Sequence, residues 1–350
     1  RSGDSGGGTW LHYRRMLGLL GIGLIHAYLF WYGDILVCYA LAGMVFYWAR
    51  LLPTRGLLVL GIVSLAMPSL LFVFVGLSMP YWPAEAVEEN RKEWSPSQQQ
   101  LQAEIDDYRG SYVDQISRRA PLVLVIHGFM LPFFMIWRVG GLMCLGMVMM
   151  RCGVFDGRLQ HTVLRRIARG TLIPGLLMAA IASAIAYKTQ WKMEHVMFLG
   201  NNWNYWGSVL VAVGYVCIWV LYLTPRLDQP NAAQGLTAAQ EPQTDSQPAT
   251  SPVGGWAITW LAPVGRMAFT NYLSQTLICV ILFYGIGFGL YGQINRAIAC
   301  VVMLVIWVVQ ILWSRWWLSR FRYGPAEWAW RCISYGKSLP LRKLADSVAE

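Results

Sequence analysis

Residues 56–77 read GLLVLGIVSLAMPSLLFVFVGL and contain no charged side chain. An α-helix rises about 1.5 Å per residue, so a helix needs roughly 20 apolar residues to cross about 30 Å of hydrocarbon. This stretch therefore predicts one complete transmembrane helix, and similar stretches occur along the whole chain.

The composition agrees with that prediction. Apolar residues make up 56% of the 350 residues and charged residues 13%, about half the usual share of charge. The net charge of +10 is scattered and forms no basic stripe, which argues against nucleic-acid binding. The seven cysteines show no CxxC pair or Cys/His ligand spacing, so neither a disulfide framework nor a zinc site is supported. The chain is predicted to be a polytopic membrane protein.

Eight apolar stretches qualify as spans or nearly do, which predicts an all-α transmembrane helical bundle of about eight spans. They are Met16–Phe30, Ile35–Ala49, Gly56–Leu77, Pro121–Met150, Thr171–Tyr187, Tyr205–Thr224, Met267–Phe288 and Ala297–Trp313. The fourth is too long for one upright span, and Pro132 is expected to kink it.

Basic residues predict the orientation, because cytoplasmic loops carry the excess of Lys and Arg. Alternate loops and both tails hold 19 of the 28 cations. The opposite side holds eight, and its longest loop, residues 80–119, is net acidic. Both ends of this chain are therefore expected on the cytoplasmic side.

Composition also divides the chain. Residues 1–227 form a six-span part with the outer loop 80–119, and residues 255–350 form a two-span part. Residues 228–254, rich in Pro, Gln, Ala and Thr, are typical of a disordered cytoplasmic linker. Both parts are expected to pack into one membrane domain.

Two segments outside the spans have distinct patterns. In the outer loop, Ser95 is a predicted N-cap, and an apolar stripe follows that Gly110 is expected to interrupt. That helix is either a surface helix or a lid over an outward-facing cavity. In the tail, residues 320–331 mix arginines with aromatic residues, which favours an anchor to anionic lipid over a cationic seat for a phosphorylated donor.

Polar groups at membrane depth are the candidate site. Counted from the flanking arginines, His26 lies roughly 16 Å, Arg138 roughly 20 Å and Gln275 roughly 14 Å from the cytoplasmic edge. Asn271 lies one turn below Gln275 on the same helix face. Because ionisable groups inside a bilayer usually face the bundle interior or a wet cavity, His26 and Arg138 are candidate catalytic residues. Asn271 and Gln275 are candidate substrate-binding residues.

Asp34 and His127 extend this candidate site. The stretch from Asp34 to Arg50 reaches only about 24 Å, so the Gly33–Asp34 turn is expected to lie below the outer surface, or the bilayer to thin there. A carboxylate there needs water or a cation, and His127 is a candidate neighbour. Each polar residue also has a structural alternative. His26, Asn271 and Gln275 can join helices by hydrogen bonds, and Arg138 can extend its cation towards the interface.

Several segments carry a family resemblance. Residues 21–27 (GIGLIHA), 31–36 (WYGDIL), 39–41 (YAL), 108–112 (YRGSY), 145–147 (LGM), 264–273 (VGRMAFTNYL) and 321–328 (FRYGPAEW) resemble the YeiB-like bacterial inner-membrane family, catalogued as domain of unknown function 418. The resemblance implies a multi-pass protein of the bacterial inner (plasma) membrane. Members of that family usually begin with two more spans and an LDxxRG-like motif, so this chain is expected to lack its N-terminal spans.

The family's fold is similar to that of membrane acyltransferases, which pass acyl groups from a cytoplasmic donor to an extracytoplasmic sugar or small molecule. The resemblance thus implies an acyl donor such as acyl-CoA, a small-molecule or glycan acceptor and no permanently bound cofactor or metal. In that hypothesis His26 is the general base and Arg138 steadies the carbonyl oxygen or a donor phosphate. The alternatives are a small-molecule transporter using Asp34 and Arg138, and a non-catalytic assembly protein whose polar groups only fasten helices.

Overall fold

The computed structural model describes residues 5–156, 158–223 and 255–343. Within them the fold is all-α, apart from one isolated β-bridge between Phe321 and Arg342. The helices are α1 (Ser5–Leu29), α2 (Leu36–Val45), α3 (Thr54–Ser78), α4 (Ala84–Trp94), α5 (Gln98–Arg109), α6 (Tyr112–Val125), α7 (Ile136–Arg151), α8 (His161–Lys188), α9 (Met193–His195), α10 (Asn201–Leu223), α11 (Gly255–Arg266), α12 (Ala268–Phe283), α13 (Arg296–Arg320) and α14 (Pro325–Tyr335).

Five helical segments of the described residues are long and apolar enough to cross a bilayer. They are Thr54–Tyr81, Tyr112–Arg151, His161–Lys188, Met193–Leu223 and Arg296–Arg320. The other three predicted spans fall on α1 and on the shorter apolar helices α2 and α12. The chain is a polytopic membrane protein, while the count of eight spans and the orientation of its ends stay predictions. The predicted linker, residues 228–254, lies outside the described residues.

The fourth predicted span is a continuous helical segment, Tyr112–Arg151. Its middle, residues Ile126–Met135, is π-helical and contains Pro132. Proline has no N–H to donate and its ring crowds the preceding turn, so a wider turn at this position accommodates it. The predicted irregularity at Pro132 is therefore a π-helical stretch.

The chain divides into two compact units, of which the second comprises residues 48–96 and 140–255. Its helices α8 and α10 approach closely at glycines: a Cβ placed on Gly175 would lie 2.9 Å from the Gly207 carbonyl oxygen. Small residues allow this contact between membrane helices. Near one end of the same pair, Leu164 and Cys217 belong to a buried apolar cluster.

The first unit comprises residues 1–47, 97–139 and 256–350. Helix α1 packs against α2 at Gly23, where a Cβ would lie 2.8 Å from the Val37 nitrogen. Helix α1 also packs against α14, and the Trp330 indole donates a hydrogen bond to the Arg15 carbonyl at 2.8 Å. These contacts set the position of α1, which carries His26.

The tail predicted to anchor to lipid is largely occupied by protein contacts. Helix α14 places the Glu327 carboxylate at the start of α12, where it accepts hydrogen bonds from the Phe269 and Thr270 nitrogens at 2.8 and 3.0 Å. The Trp328 indole donates to the Leu339 carbonyl. Binding of anionic lipid by this tail stays a prediction.

In the outer loop, Gly110 ends α5 as predicted, but α5 begins two residues later than predicted. Its N-cap is Ser97 rather than Ser95, because Ser97 and Gln100 form a reciprocal capping box. A second capping box, Ser111 with Asp114, begins α6 directly after Gly110. The loop is therefore two separate helices rather than one.

Candidate functional site

The turn between α1 and α2 brings a buried histidine and a buried aspartate together. The Nδ1–H of His26 donates a hydrogen bond to an Asp34 carboxylate oxygen at 2.7 Å. Each residue is only 3% exposed. A buried carboxylate needs a hydrogen-bonded partner of opposite charge or polarity, and here it is the imidazole eight residues earlier.

The Asp34 carboxylate also organises the backbone around it. Its second oxygen accepts a hydrogen bond from the Val37 nitrogen at 2.9 Å, so Asp34 caps the start of α2. The Tyr272 hydroxyl donates to the oxygen that faces His26, at 3.3 Å, and accepts from the Ile35 nitrogen at 3.3 Å. Asp34 thereby joins α1, α2 and α12.

Because Nδ1 donates to Asp34, the neutral His26 ring carries its lone pair on Nε2. This nitrogen is buried and has no hydrogen-bond partner among the described residues. Aromatic rings surround the imidazole, with ring centroids 5.1 Å away at Tyr272, 6.4 Å at Phe30 and 6.5 Å at Trp31. The arrangement presents a basic nitrogen in an apolar environment.

Arg119 fixes the end of α1. Its side chain is fully buried and donates to the carbonyls of Tyr28, Leu29 and Phe30, at 3.2, 2.8 and 2.9 Å. The last carbonyls of a helix lack intrahelical partners and carry partial negative charge, so a buried guanidinium satisfies and stabilises them. The sequence interpretation missed Arg119, having counted it among the cations of the outer loop.

A cavity of about 600 Å³ lies beside this cluster, within the first unit. Trp31 and Tyr272, whose rings face His26, also form part of its wall. The remaining wall comes from α12 and the loop after it: Gln275, Thr276, Cys279, Val280, Phe283, Tyr284, Leu290, Tyr291, Gly292 and Ile294. The volume is in the range of ligand pockets, about 300–1,000 Å³.

The two amide candidates on α12 have different surroundings. Gln275 is half-buried and lines the cavity. Asn271 is buried, and its amide donates to the Ser314 hydroxyl at 2.9 Å and to the Val264 carbonyl at 3.3 Å. Gln310 donates to the Asn271 carbonyl at 2.7 Å. Bonds of this kind fasten α12 to α13.

His127 and Arg138 are both half-buried on the long helical segment. The His127 ring contacts Tyr28 edge-on, with centroids 5.9 Å apart, and lies within electrostatic range of Asp34. The direct partner of Asp34 is His26 rather than His127. That Arg138 belongs to the same site as His26 stays a prediction.

A second polar cluster lies where α5 meets the loop after α12. The Tyr108 ring packs at a tilt against those of Tyr284 and Tyr291, with centroids 5.0 and 4.8 Å apart. The Tyr291 hydroxyl donates to Glu104 at 2.7 Å. Burial raises the pKa of Tyr108 to about 12, because a phenolate is poorly solvated there.

Within the described residues, no three His, Cys, Asp or Glu side chains lie together as metal ligands would. The chemistry available at the site is that of an imidazole, a carboxylate and a phenol.

Comparison with known proteins relates the chain to uncharacterised bacterial proteins. It is 29% identical over 332 residues to "Uncharacterized protein YeiB" of Escherichia coli (strain K12), covering 94% of this chain and 76% of the relative. It is 28% identical over 344 residues to "Uncharacterized protein YxaH" of Bacillus subtilis (strain 168), covering 95% and 74%. A shorter match, 38% over 98 residues, is with an "Uncharacterized 39.9 kDa protein in amylase 3'region" of Bacillus acidopullulyticus and covers 27% and 28%.

No solved structure matches the chain. Residues 249–337 match the family described as "Protein of unknown function (DUF418)". This region contains the segments 264–273, from the end of α11 into α12, and 321–328, which leads into α14. The chain is thus a membrane protein similar to YeiB and YxaH over most of its length, and its residues 249–337 match the DUF418 family model.

Proposed function

We propose that the protein transfers an acyl group to a hydroxyl or amine of an extracytoplasmic small molecule or glycan. The observation that supports this most is the buried His26–Asp34 pair, whose Nε2 has no hydrogen-bond partner among the described residues. A histidine oriented through Nδ1 by a carboxylate is the arrangement that general-base catalysis of acyl transfer uses.

In the proposed step, His26 Nε2 removes the proton from the acceptor hydroxyl or amine as its oxygen or nitrogen attacks the acyl carbonyl carbon. The bond between that carbon and the donor's leaving atom, the sulfur of a thioester such as acyl-CoA, then breaks. The imidazolium returns the proton to the leaving thiolate. Asp34 holds the imidazole in the required tautomer and stabilises its positive charge while the proton resides there.

Other residues have supporting roles in this proposal. Tyr272 holds the Asp34 carboxylate from α12. Gln275, on the cavity wall, orients the substrate. Arg138 is the cation assigned to the carbonyl oxygen or a donor phosphate, because a guanidinium stabilises developing negative charge well in a dry site. The likeness of the YeiB-like family's fold to that of membrane acyltransferases, expected from the sequence, favours the same reaction class.

The test uses the full chain purified into nanodiscs with radiolabelled acyl-CoA and candidate acceptors, and measures transfer and donor hydrolysis. We expect His26→Gln and Asp34→Asn to lose at least about 100-fold in rate. His12→Gln is the matched control, since His12 lies on the same helix and bonds the Gly43 carbonyl. Equal rates in wild type and His26→Gln, with both proteins folded, would refute the assignment.

A second candidate is proton-coupled transport of a small molecule. The same pair favours it, because buried ionisable groups in a span often carry protons. Proteoliposomes with an imposed pH gradient distinguish the two functions. Uptake or efflux lost in Asp34→Asn, without acyl transfer in the wild type, would establish transport. A purely structural role predicts neither activity.

A further inference from the structure

We infer that the cavity beside His26 binds the aliphatic chain of a long-chain acyl donor. The bound chain belongs to a reaction only if the proposed function holds, but binding of the chain is measured without any assay of transfer.

The lining of the cavity favours an alkyl chain. None of its twelve lining residues is charged, and they include Cys279, Val280 and Phe283 of α12. An uncharged wall of this kind provides no cation for a phosphate or nucleotide. It gains affinity from burying methylene groups, about fourfold for each one. The part of a ligand that fits inside is therefore an alkyl chain.

The cavity lies beside the rings that surround His26. Trp31 and Tyr272 form part of its wall and also contact the His26 ring. An alkyl chain that reaches this part of the wall lies one side chain away from a buried imidazole whose Nε2 makes no hydrogen bond within the described residues. An acyl chain has a reactive carbonyl at one end, and a base there can activate the nucleophile that attacks it. A simple hydrocarbon has no such reactive group.

Contacts with α5 hold part of the cavity wall in place. Helix α5 holds the far wall in place: Glu104 accepts the Tyr291 hydroxyl at 2.7 Å, and the Tyr108 carbonyl accepts the Gly285 nitrogen at 2.9 Å. Ile105 packs on Gly292, where a Cβ would lie 2.8 Å from the Ile105 side chain. Gly292 has a φ of +73°, a backbone conformation that glycine adopts without strain. These contacts hold the loop after α12 against α5 and keep this part of the wall in place.

The experiment uses the full chain in nanodiscs and a palmitoyl chain bearing a diazirine. One arm presents the chain as the CoA thioester, and the other presents it within phosphatidylethanolamine. After irradiation, peptide mass spectrometry compares adducts on residues 272–294 with adducts on the exposed α13 residues Val301, Val305 and Val308. Those α13 residues report non-specific labelling from the bilayer.

We expect labelling of residues 272–294 to saturate and to fall at least fivefold with a tenfold excess of the unlabelled palmitoyl compound, while acetyl-CoA does not compete. Labelling of α13 should not saturate. Cys279→Trp, which fills the cavity, should lower the cavity adducts at least fivefold. Ile281→Trp is the control on the same helix, because Ile281 is 52% exposed. The arm that shows competition identifies the source of the chain.

The inference would be overturned if the ratio of adducts on residues 272–294 to adducts on α13 were the same with and without competitor. This comparison needs only the wild type, so it decides the question even if Cys279→Trp fails to fold. His26→Gln separates this result from the proposed function. Retained, competable labelling in that variant is expected, because chain binding does not need the base. If the wild type showed competable labelling but no transfer, the reaction would be refuted and the chain site would stand.

Discussion

The Arg119 guanidinium donates a hydrogen bond to the Leu29 carbonyl at 2.8 Å, one turn beyond His26 on α1. The flanking carbonyls of Tyr28 and Phe30 are bound by the same side chain. Helix α6 therefore controls where α1 ends, and the end of α1 controls where the chain turns towards Asp34.

We expect Arg119→Gln to lower the free energy of unfolding by on the order of 3 kcal/mol, because buried helix-end carbonyls lose their charged donor. Arg119→Lys should recover only part of this loss, since an ammonium cannot reproduce the planar fork. Thermal unfolding in detergent measures both. Arg118→Gln is the control: its pair with Glu104 is half exposed at 3.5 Å and is worth about 0–1 kcal/mol. Equal stability of Arg119→Gln and wild type would contradict the assigned role.

Tyr272 should affect the rate of the proposed reaction more than the fold. Tyr272→Phe removes the hydroxyl that bonds Asp34 and Ile35 but keeps the ring beside His26. We expect about a tenfold loss in transfer rate, because Asp34 keeps its bond to His26 yet loses one donor. Steady-state kinetics with the labelled donor measure it. A loss confined to KM would instead indicate that Tyr272 acts on substrate binding.

Much of the fold was predictable because apolar length alone identifies membrane helices: each of the eight predicted stretches overlaps helix, and five fall on segments of the described residues long enough to cross a bilayer. The site was predictable only in part. Counting residues estimates how deep His26 and Gln275 lie along their helices. It does not give the direction in which each side chain points around the helix axis. The partner of Asp34 depends on how the turn after Leu29 folds back, which the sequence does not show. His127 was therefore the expected neighbour, whereas the structure pairs Asp34 with His26.

Two residues of the site were missed for separate reasons. Tyr272 lies next to Asn271 in the sequence, but its phenol was not counted among the polar groups at membrane depth. Arg119 follows the outer loop's other cations, and nothing in its local sequence distinguishes a buried guanidinium from the half-exposed Arg118 beside it. Only the tertiary arrangement of α6 against the end of α1 reveals its partners.

Two glycines on α1 provide a matched test of helix packing. A Cβ on Gly23 would lie 2.8 Å from the Val37 nitrogen, so Gly23→Ala should push α1 from α2 and cost about 1–3 kcal/mol. Gly21 has nothing within 4 Å of its added Cβ. Gly21→Ala should therefore be neutral or stabilise by up to about 1 kcal/mol through helix propensity. Thermal unfolding of both variants checks the prediction, and a reversed order would contradict the close approach.

Glu327 should stabilise the start of α12. Its carboxylate accepts the Phe269 and Thr270 nitrogens and the Thr270 hydroxyl, replacing a local N-cap. Glu327→Gln should cost about 1–2 kcal/mol, because a neutral amide caps a helix N-terminus more weakly than a carboxylate. The exposed Glu93→Gln should have little effect. Hydrogen exchange at Phe269 and Thr270 locates the loss, and unchanged protection there would refute the capping role.

The buried Tyr108 should make the protein sensitive to alkaline pH. Burial raises its pKa from the ordinary tyrosine value of about 10 to about 12, so the folded state holds this proton more tightly than the unfolded state does. The resulting stability is fully present below pH 10 and is lost as the pH rises towards 12. Tyr108→Phe should flatten this fall, measured as denaturant midpoints at pH 8, 10 and 11. Tyr81→Phe is the control, because Tyr81 is 88% exposed. An identical pH dependence in Tyr108→Phe and wild type would show that this phenol ionises as easily when folded as when unfolded.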